Sequence, residues 1–244
     1  MRQYKAILLD MGLTLWGFDQ TRAEVWHGCL RELGVDASLD QVNESVDGVF
    51  SALGVTRGGG ITMDSQWDYF ETSGNATDPA DIENALDVLT REVLKKLGVT
   101  ADLSLVWPKL KAHFHGRPKL YPDTVEVLSW LKHNSYRLAI VSNGVFQKDT
   151  CRILGLEHHF DSIIGSWHVG LRKPMPEIFH LALSDLGVRA EEAIMVGDSW
   201  ENDVVGANGV GIRSFHLARD EGTSANLGVF TDLWGLVRLL ENSG

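Results

Sequence analysis

The chain has 244 residues, 44% of them hydrophobic and 23% charged, enough to bury one substantial core or a core with a smaller companion domain. Its 33 acidic residues against 22 basic ones give a formal charge of −11, which argues against a polyanion-binding surface, so nucleic acid is not an expected ligand, although a small anion in a focused pocket still is. Two distant cysteines, Cys29 and Cys151, suggest neither a disulfide framework nor a zinc site, and no stretch has signal-peptide form or membrane-spanning length, so cytoplasmic residence without membrane association is expected.

The first element is a short apolar run, Ala6 to Leu9, ending at Asp10. A continuous apolar run closed by an acid predicts a strand buried on both faces of a parallel sheet, with its carboxyl end meeting solvent. Ligands of open parallel sheets bind outside those carboxyl ends, so Asp10 stands where chemistry is expected; alone, it reads as a turn or helix-capping aspartate.

From about Phe18 to about His115 the pattern turns amphipathic, with Trp26, Leu30 and Leu33, then Leu86, Leu89, Val93 and Leu97, at helical spacing. This predicts a mostly helical domain over 18–115, inserted into a core made of 1–17 and 116–244. Within it, Arg57 to Gly60 (RGGG) reads as an interhelical connection, with a substrate-contacting loop as the other reading. The pairs His113 with His115 and His158 with His159 have no further ligand beside them and read as surface or hinge histidines.

After Tyr121 and Pro122, strands and helices alternate. A helical pattern (Val125, Leu128, Trp130, Leu131) leads to a strand, Leu138 to Val141, that ends in Ser142 and Asn143. Ile163 and Ile164 mark the next strand. Lys173 follows in GLRKPMPEIF, where Pro174 and Pro176 keep it in an extended segment before a helix starting around Pro176 and carrying Ile178, Leu181, Ala182 and Leu186. The strand Ala193 to Val196 runs into VGDSWENDVVGA, placing Asp198 at its end and Asp203 at the start of a helical pattern that carries Val204, Val205 and Ala207. A weaker strand, Ser214 to Leu217, and a final amphipathic helix, Thr231 to Glu241, complete the chain. The alternation predicts an α/β fold with a doubly wound parallel sheet. Gly206, Gly209 and Gly211 follow a helical segment rather than opening one after a strand, so they read as helix termination and not as a dinucleotide loop.

Each strand end thus delivers polar chemistry. Ser142 and Asn143 supply groups suited to phosphate oxygens, Lys173 a fixed ammonium, and Asp198 with Asp203 carboxylates able to hold or orient a hard cation. The bland readings are a turn, a solvated lysine and a helix cap at Asp198 and Ser199.

In this order, LLDMGLTL, VSNG, LRKP and VGDSWEND resemble the four motifs of the haloacid dehalogenase superfamily, and the segments joining them resemble that family's core. The insert resembles its C1-type helical cap, which closes over the site and shapes substrate choice. The resemblance implies a Rossmann-like core and a magnesium-dependent hydrolase acting on a small phosphate monoester. Asp10 would attack phosphorus to form an aspartyl-phosphate that water then cleaves. Ser142, Asn143 and Lys173 would bind the phosphoryl group, and Thr14 would stabilise the nucleophile loop. Magnesium would sit between Asp10, the Gly12 carbonyl and Asp198, with Asp203 supporting the metal site or Lys173.

Two positions depart from the family. Phosphatases of this type carry a second aspartate, the general acid and base, where this chain has Gly12, and a glycine where it has Leu13. Relatives that cleave carbon–halogen or carbon–phosphorus bonds also replace that aspartate, so a 2-haloacid dehalogenase, a phosphonate hydrolase, or a weakly active member serving as a metabolite-binding or interaction protein are the alternatives. The acidic GDSWEND segment favours the phosphatase. Trp16 and Trp200 are candidates to line an apolar pocket for the leaving group.

Overall fold

The computed structural model describes residues 3–18, 20–52, 88, 90–102, 104–106, 108–110, 118–143, 147–219 and 228–242. The chain divides into two compact units, Met1–Gly17 with Lys119–Gly244, and Phe18–Pro118. The RGGG segment, Leu86, Leu89, His113 and His115 lie outside the described residues.

The first unit is built on a six-stranded sheet in the order β5-β4-β1-β6-β7-β8, from β1 (Ala6–Leu9), β4 (Arg137–Ser142), β5 (Ser162–Gly165), β6 (Ala193–Gly197), β7 (Arg213–Leu217) and β8 (Val229–Phe230). Every pairing is parallel. Strands buried on both faces need apolar residues at successive positions, and the side chains sort accordingly. Ile7, Leu9, Leu138, Ile140, Ile194 and Val196 join the core on one face, with Leu128 and Leu131 of helix Thr124–His133 and Leu236 and Leu240 of helix Trp234–Glu241. Ala6, Leu8, Ala139, Val141, Ala193 and Met195 join the other, with Ile178, Phe179, Ala182 and Leu186 of helix Pro176–Leu186. The periodicity misplaces two residues, since Val125 and Val205 are exposed.

The connections from β1 proceed outward through β4 and β5 on one side and through β6, β7 and β8 on the other, so β1 is where the winding reverses. A crevice at the carboxyl ends of such a switch point is the usual ligand site of an open α/β sheet. In register, Leu9 faces Ile140 of β4 and Val196 of β6, which brings the ends of three strands level just where Asp10 leaves β1.

The short strands β2 (Trp16–Phe18) and β3 (Pro118–Leu120) form a separate two-stranded sheet where the chain passes from one unit to the other. In the second unit, helix Arg22–Glu32 opens with a capping box in which the Glu24 side chain accepts from the Thr21 amide at 2.6 Å. Ser38 and Gln41 make the same reciprocal pair before helix Leu39–Ala52. Trp26, Cys29 and Leu30 of the first helix bury against Val42 and Val46 of the second and against Val93, Leu94, Val106 and Leu110. Among the described residues, no helix is long and apolar enough to cross a membrane.

Candidate active site

Asp10 emerges from β1 with its amide donating to the Val196 carbonyl at 3.0 Å, which fixes the backbone at the sheet edge. Its carboxylate Oδ1 accepts from Lys173 Nζ at 2.7 Å, and the same ammonium donates to Asp203 Oδ1 at 2.5 Å. Lys173 and Asp203 are only 2% and 0% exposed, so this bridge is withdrawn from water and its charge-assisted bonds are strong.

The loop holding Lys173 is clamped by Asn143. The Asn143 carboxamide donates to the Lys173 carbonyl at 2.9 Å and accepts from the Lys173 amide at 2.8 Å. Asn143, expected from the sequence to meet the substrate, places both ends of its carboxamide on the Lys173 backbone. A reciprocal amide pair to a distant segment leaves no local trace in sequence. Gly206 completes the seat of this loop, because a Cβ there would stand 2.9 Å from the Pro174 Cβ and 3.0 Å from Phe179. Gly206 is therefore a close-packing glycine at the start of helix Gly206–Gly209, whereas Gly211, at φ 84°, follows that helix in the left-handed conformation expected of a terminating glycine.

Asp203 sits in the π-helical turn Trp200–Val205, and its Oδ2 accepts from the Ser199 amide at 3.0 Å. Ser199 is the residue that caps this turn, accepting from the Asn202 amide at 3.3 Å, which separates its role from that of Asp198. The Asp198 carbonyl lies 2.7 Å from His216 Nε2, and the exposed Trp200 stands edge-on to the same imidazole. Gly197 went unnoticed in the sequence, although a Cβ on it would lie 2.1 Å from Asp203 Oδ2, so only glycine lets that carboxylate tuck under the end of β6.

Ligand-bearing atoms of Asp10, Asp198 and Asp203 all lie within 4.8 Å of one another. Three carboxylates against the one Lys173 ammonium leave an excess of two negative charges among these residues, a donor set of hard oxygens that suits a hard divalent cation. Burial, with the charge of Asp10 adding to it, pushes Asp203 up to about 6 against the opposing pull of Lys173.

Thr14 is fully buried in the loop after Asp10, yet its hydroxyl has no hydrogen-bond partner among the described residues; the backbone carbonyl of Thr14 makes the contacts. Leu13 adopts a positive φ of 54°. Ser142 is buried at the end of β4, and Trp16 packs against the main core. The thiols are poor nucleophiles, since burial pushes Cys29 up to about 11 and Cys151 up to about 12.

The phosphoserine phosphatase of Thermus thermophilus is 28% identical over 226 residues, covering 88% of this chain and 89% of that one. The glyceraldehyde 3-phosphate phosphatase of Methanothermobacter thermautotrophicus is 36% identical over 107 residues, 43% of this chain and 47% of its own. Among solved structures, the HAD-hydrolase YfnB of Bacillus subtilis, bound to magnesium, superposes with a TM-score of 0.74 at 22% identity, covering 98% of this chain and 100% of its own. The 2-haloacid dehalogenase of Pseudomonas syringae reaches 0.65, also at 22% identity, over 99% of this chain and 100% of its own, so the fold alone does not choose between the two chemistries. The profile of the haloacid dehalogenase-like hydrolases matches residues 4–211, most of the chain, and the chain belongs to that family.

Proposed function

We propose that this protein is a magnesium-dependent phosphatase of small phosphate monoesters, with Asp10 as its covalent nucleophile. The observation that carries the reading is the buried Asp10–Lys173–Asp203 bridge at the switch point, with Asp198 beside it. An Asp10 carboxylate oxygen attacks phosphorus, the bond from phosphorus to the ester oxygen breaks, and the leaving alkoxide takes a proton. Water then attacks the aspartyl-phosphate, releasing inorganic phosphate and restoring Asp10.

Lys173 holds Asp10 in one orientation and places positive charge where phosphoryl oxygens would lie, aided by Ser142, while Asn143 acts through Lys173. The carboxylates of Asp10 and Asp198 and the carbonyl of Gly12 would hold magnesium, with Asp203 supporting Lys173. A bound magnesium ion would neutralise phosphoryl charge. The unit Phe18–Pro118 would be the cap that selects the substrate.

A phosphatase is favoured over a dehalogenase by the excess of carboxylates, which a metal-free reaction does not require, and by phosphatases among relatives of both full and partial length. Gly12 keeps the dehalogenase reading open as a second one, because it offers no side-chain acid to the leaving oxygen. The test is phosphate release from p-nitrophenyl phosphate and a panel of small esters, with and without magnesium, alongside halide release from 2-chloropropionate, for native protein and Asp10→Asn. Phosphate release that requires both magnesium and Asp10 is expected. Metal-independent halide release that requires Asp10 would replace the phosphatase with a dehalogenase.

A further inference from the structure

Resting on Asp10 as nucleophile, we propose that Arg219 is the positioning residue of this site, holding the nucleophile loop in its turn through the carbonyl of Thr14. The loop from Asp10 to Trp16 has few bonds of its own: the Leu13 amide donates to the Trp16 carbonyl at 2.7 Å and the Leu15 amide to the Met11 carbonyl at 2.9 Å. Leu13 sits at φ 54°, a conformation that disfavours any residue with a Cβ, so the loop is not self-sustaining and needs ties from outside.

Those ties fall on two consecutive carbonyls. The Leu15 carbonyl accepts from the Thr124 hydroxyl at 2.6 Å and from the Tyr121 amide at 3.1 Å. The Thr14 carbonyl accepts two bonds from one guanidinium, Arg219 Nε at 3.0 Å and Nη2 at 2.6 Å. Because the Thr14 hydroxyl makes no bond among the described residues, this fork is what holds Thr14.

Arg219 is itself fixed on its remaining sides. Its Nη1 donates to Asp123 Oδ2 at 3.2 Å, its Nη2 lies 3.1 Å from Asp123 Oδ1, and its guanidinium stacks 3.8 Å from the centre of the Tyr121 ring. Asp123 is anchored in turn by the Leu233 amide at 2.7 Å. The side chains of Arg219 and Asp123 are 10% and 8% exposed, so the pair is a largely dry cation aimed at one backbone oxygen. Only a planar, forked donor can grip a carbonyl twice while pairing with a carboxylate and stacking on a ring; an ammonium cannot. Arg219 thereby ties the chain just beyond β7 to the loop that begins at Asp10.

The test compares Arg219→Gln, Arg219→Lys and the double variant Arg219→Gln with Leu13→Gly, which removes the conformational cost the arginine offsets. Amide exchange is read at Leu13 and Leu15 and at the β4 and β6 strands, together with kcat and KM for phosphate release. Arg219→Gln should speed exchange in the loop alone and lower kcat roughly 10- to 100-fold with KM changed less than about twofold, as a misplaced reacting group does. Arg219→Lys should recover little, and Leu13→Gly should restore much of the loop protection and turnover. Unchanged loop exchange in Arg219→Gln, exchange that rises equally in strands and loop, or no rescue by Leu13→Gly would overturn the proposal. If the native protein releases no phosphate, the functional reading fails while the exchange arm still decides the role of Arg219.

Discussion

Lys173 shows how much one side chain can be asked to do: its ammonium serves Asp10 and Asp203 together, and its backbone is gripped on both sides by Asn143. At the residue scale, however, the informative position is Gly12. A Cβ added there meets nothing within 4 Å, and Gly12 is not among the positive-φ glycines, so the fold has room for the acid that related phosphatases carry. Gly12→Asp is therefore expected to fold and to raise kcat on esters of poorly acidic alcohols, by up to roughly 10²- to 10⁴-fold, while p-nitrophenyl phosphate, whose leaving group needs no proton, gains much less. Steady-state kinetics on both substrates check this. A folded variant with equal or no gain on the two esters would show that the missing acid is not what limits turnover.

At the scale of elements, the site is assembled from the ends of parallel strands, and small residues decide how closely those ends meet. Gly197 closes β6 with Asp203 pressed against it, a contact that alanine cannot share because its Cβ would fall 2.1 Å from the carboxylate. Gly197→Ala is expected to push Asp203 off Lys173, to cost roughly 1–3 kcal/mol as overpacking does, and to lower Tm by about 2–10 °C with loss of turnover. Gly209→Ala, whose added Cβ meets nothing within 4 Å, serves as the control and should keep both. Calorimetry and phosphate release on the two variants distinguish a packing glycine from a dispensable one. The strand cores themselves were legible as apolar runs because burial on both faces imposes an unbroken pattern. The amphipathic count failed at Val125 and Val205, since helical spacing says which residues are apolar but not where the covering layer stops.

At the scale of the whole molecule, pH reaches stability through a few groups. His159 is held below its usual range by burial, with the charges of His158 and Lys132 adding to it. A base whose folded pKa is depressed adds stability that is present above the unfolded value of about 6.5 and is lost as pH falls below it toward the folded value. Asp203 works in the opposite sense, because its raised pKa makes the folded state easier to protonate and relieves strain as pH falls below about 6. The two are separated by comparing native protein with His159→Gln: the native Tm should fall relative to the variant between pH 7.5 and 5.5, and a constant difference across that range would refute the assignment. At lower pH, Asp161 acts in both proteins alike. Burial raises its pKa, but bonds from Lys132 and the Leu138 amide prevail and hold it below the usual carboxylate range, so its contribution is lost only as pH falls below about 4.

By itself, the sequence determined the α/β class and the strand cores and singled out Asp10, Lys173, Asp198 and Asp203 as candidates, because apolar periodicity and residue type are local properties that survive without coordinates. Only the tertiary structure decided that β1 lies between β4 and β6, which brings residues 163 and 193 positions apart onto one another as Asp10, Lys173 and Asp203 converge. It also paired the Asn143 carboxamide with the Lys173 backbone, brought Arg219 onto the Thr14 carbonyl, and revealed the close packing at Gly197 and Gly206. The physical reason is common to all of these: each depends on which atoms meet across segments remote in the chain, and a single residue's type carries no record of the distance to its partner.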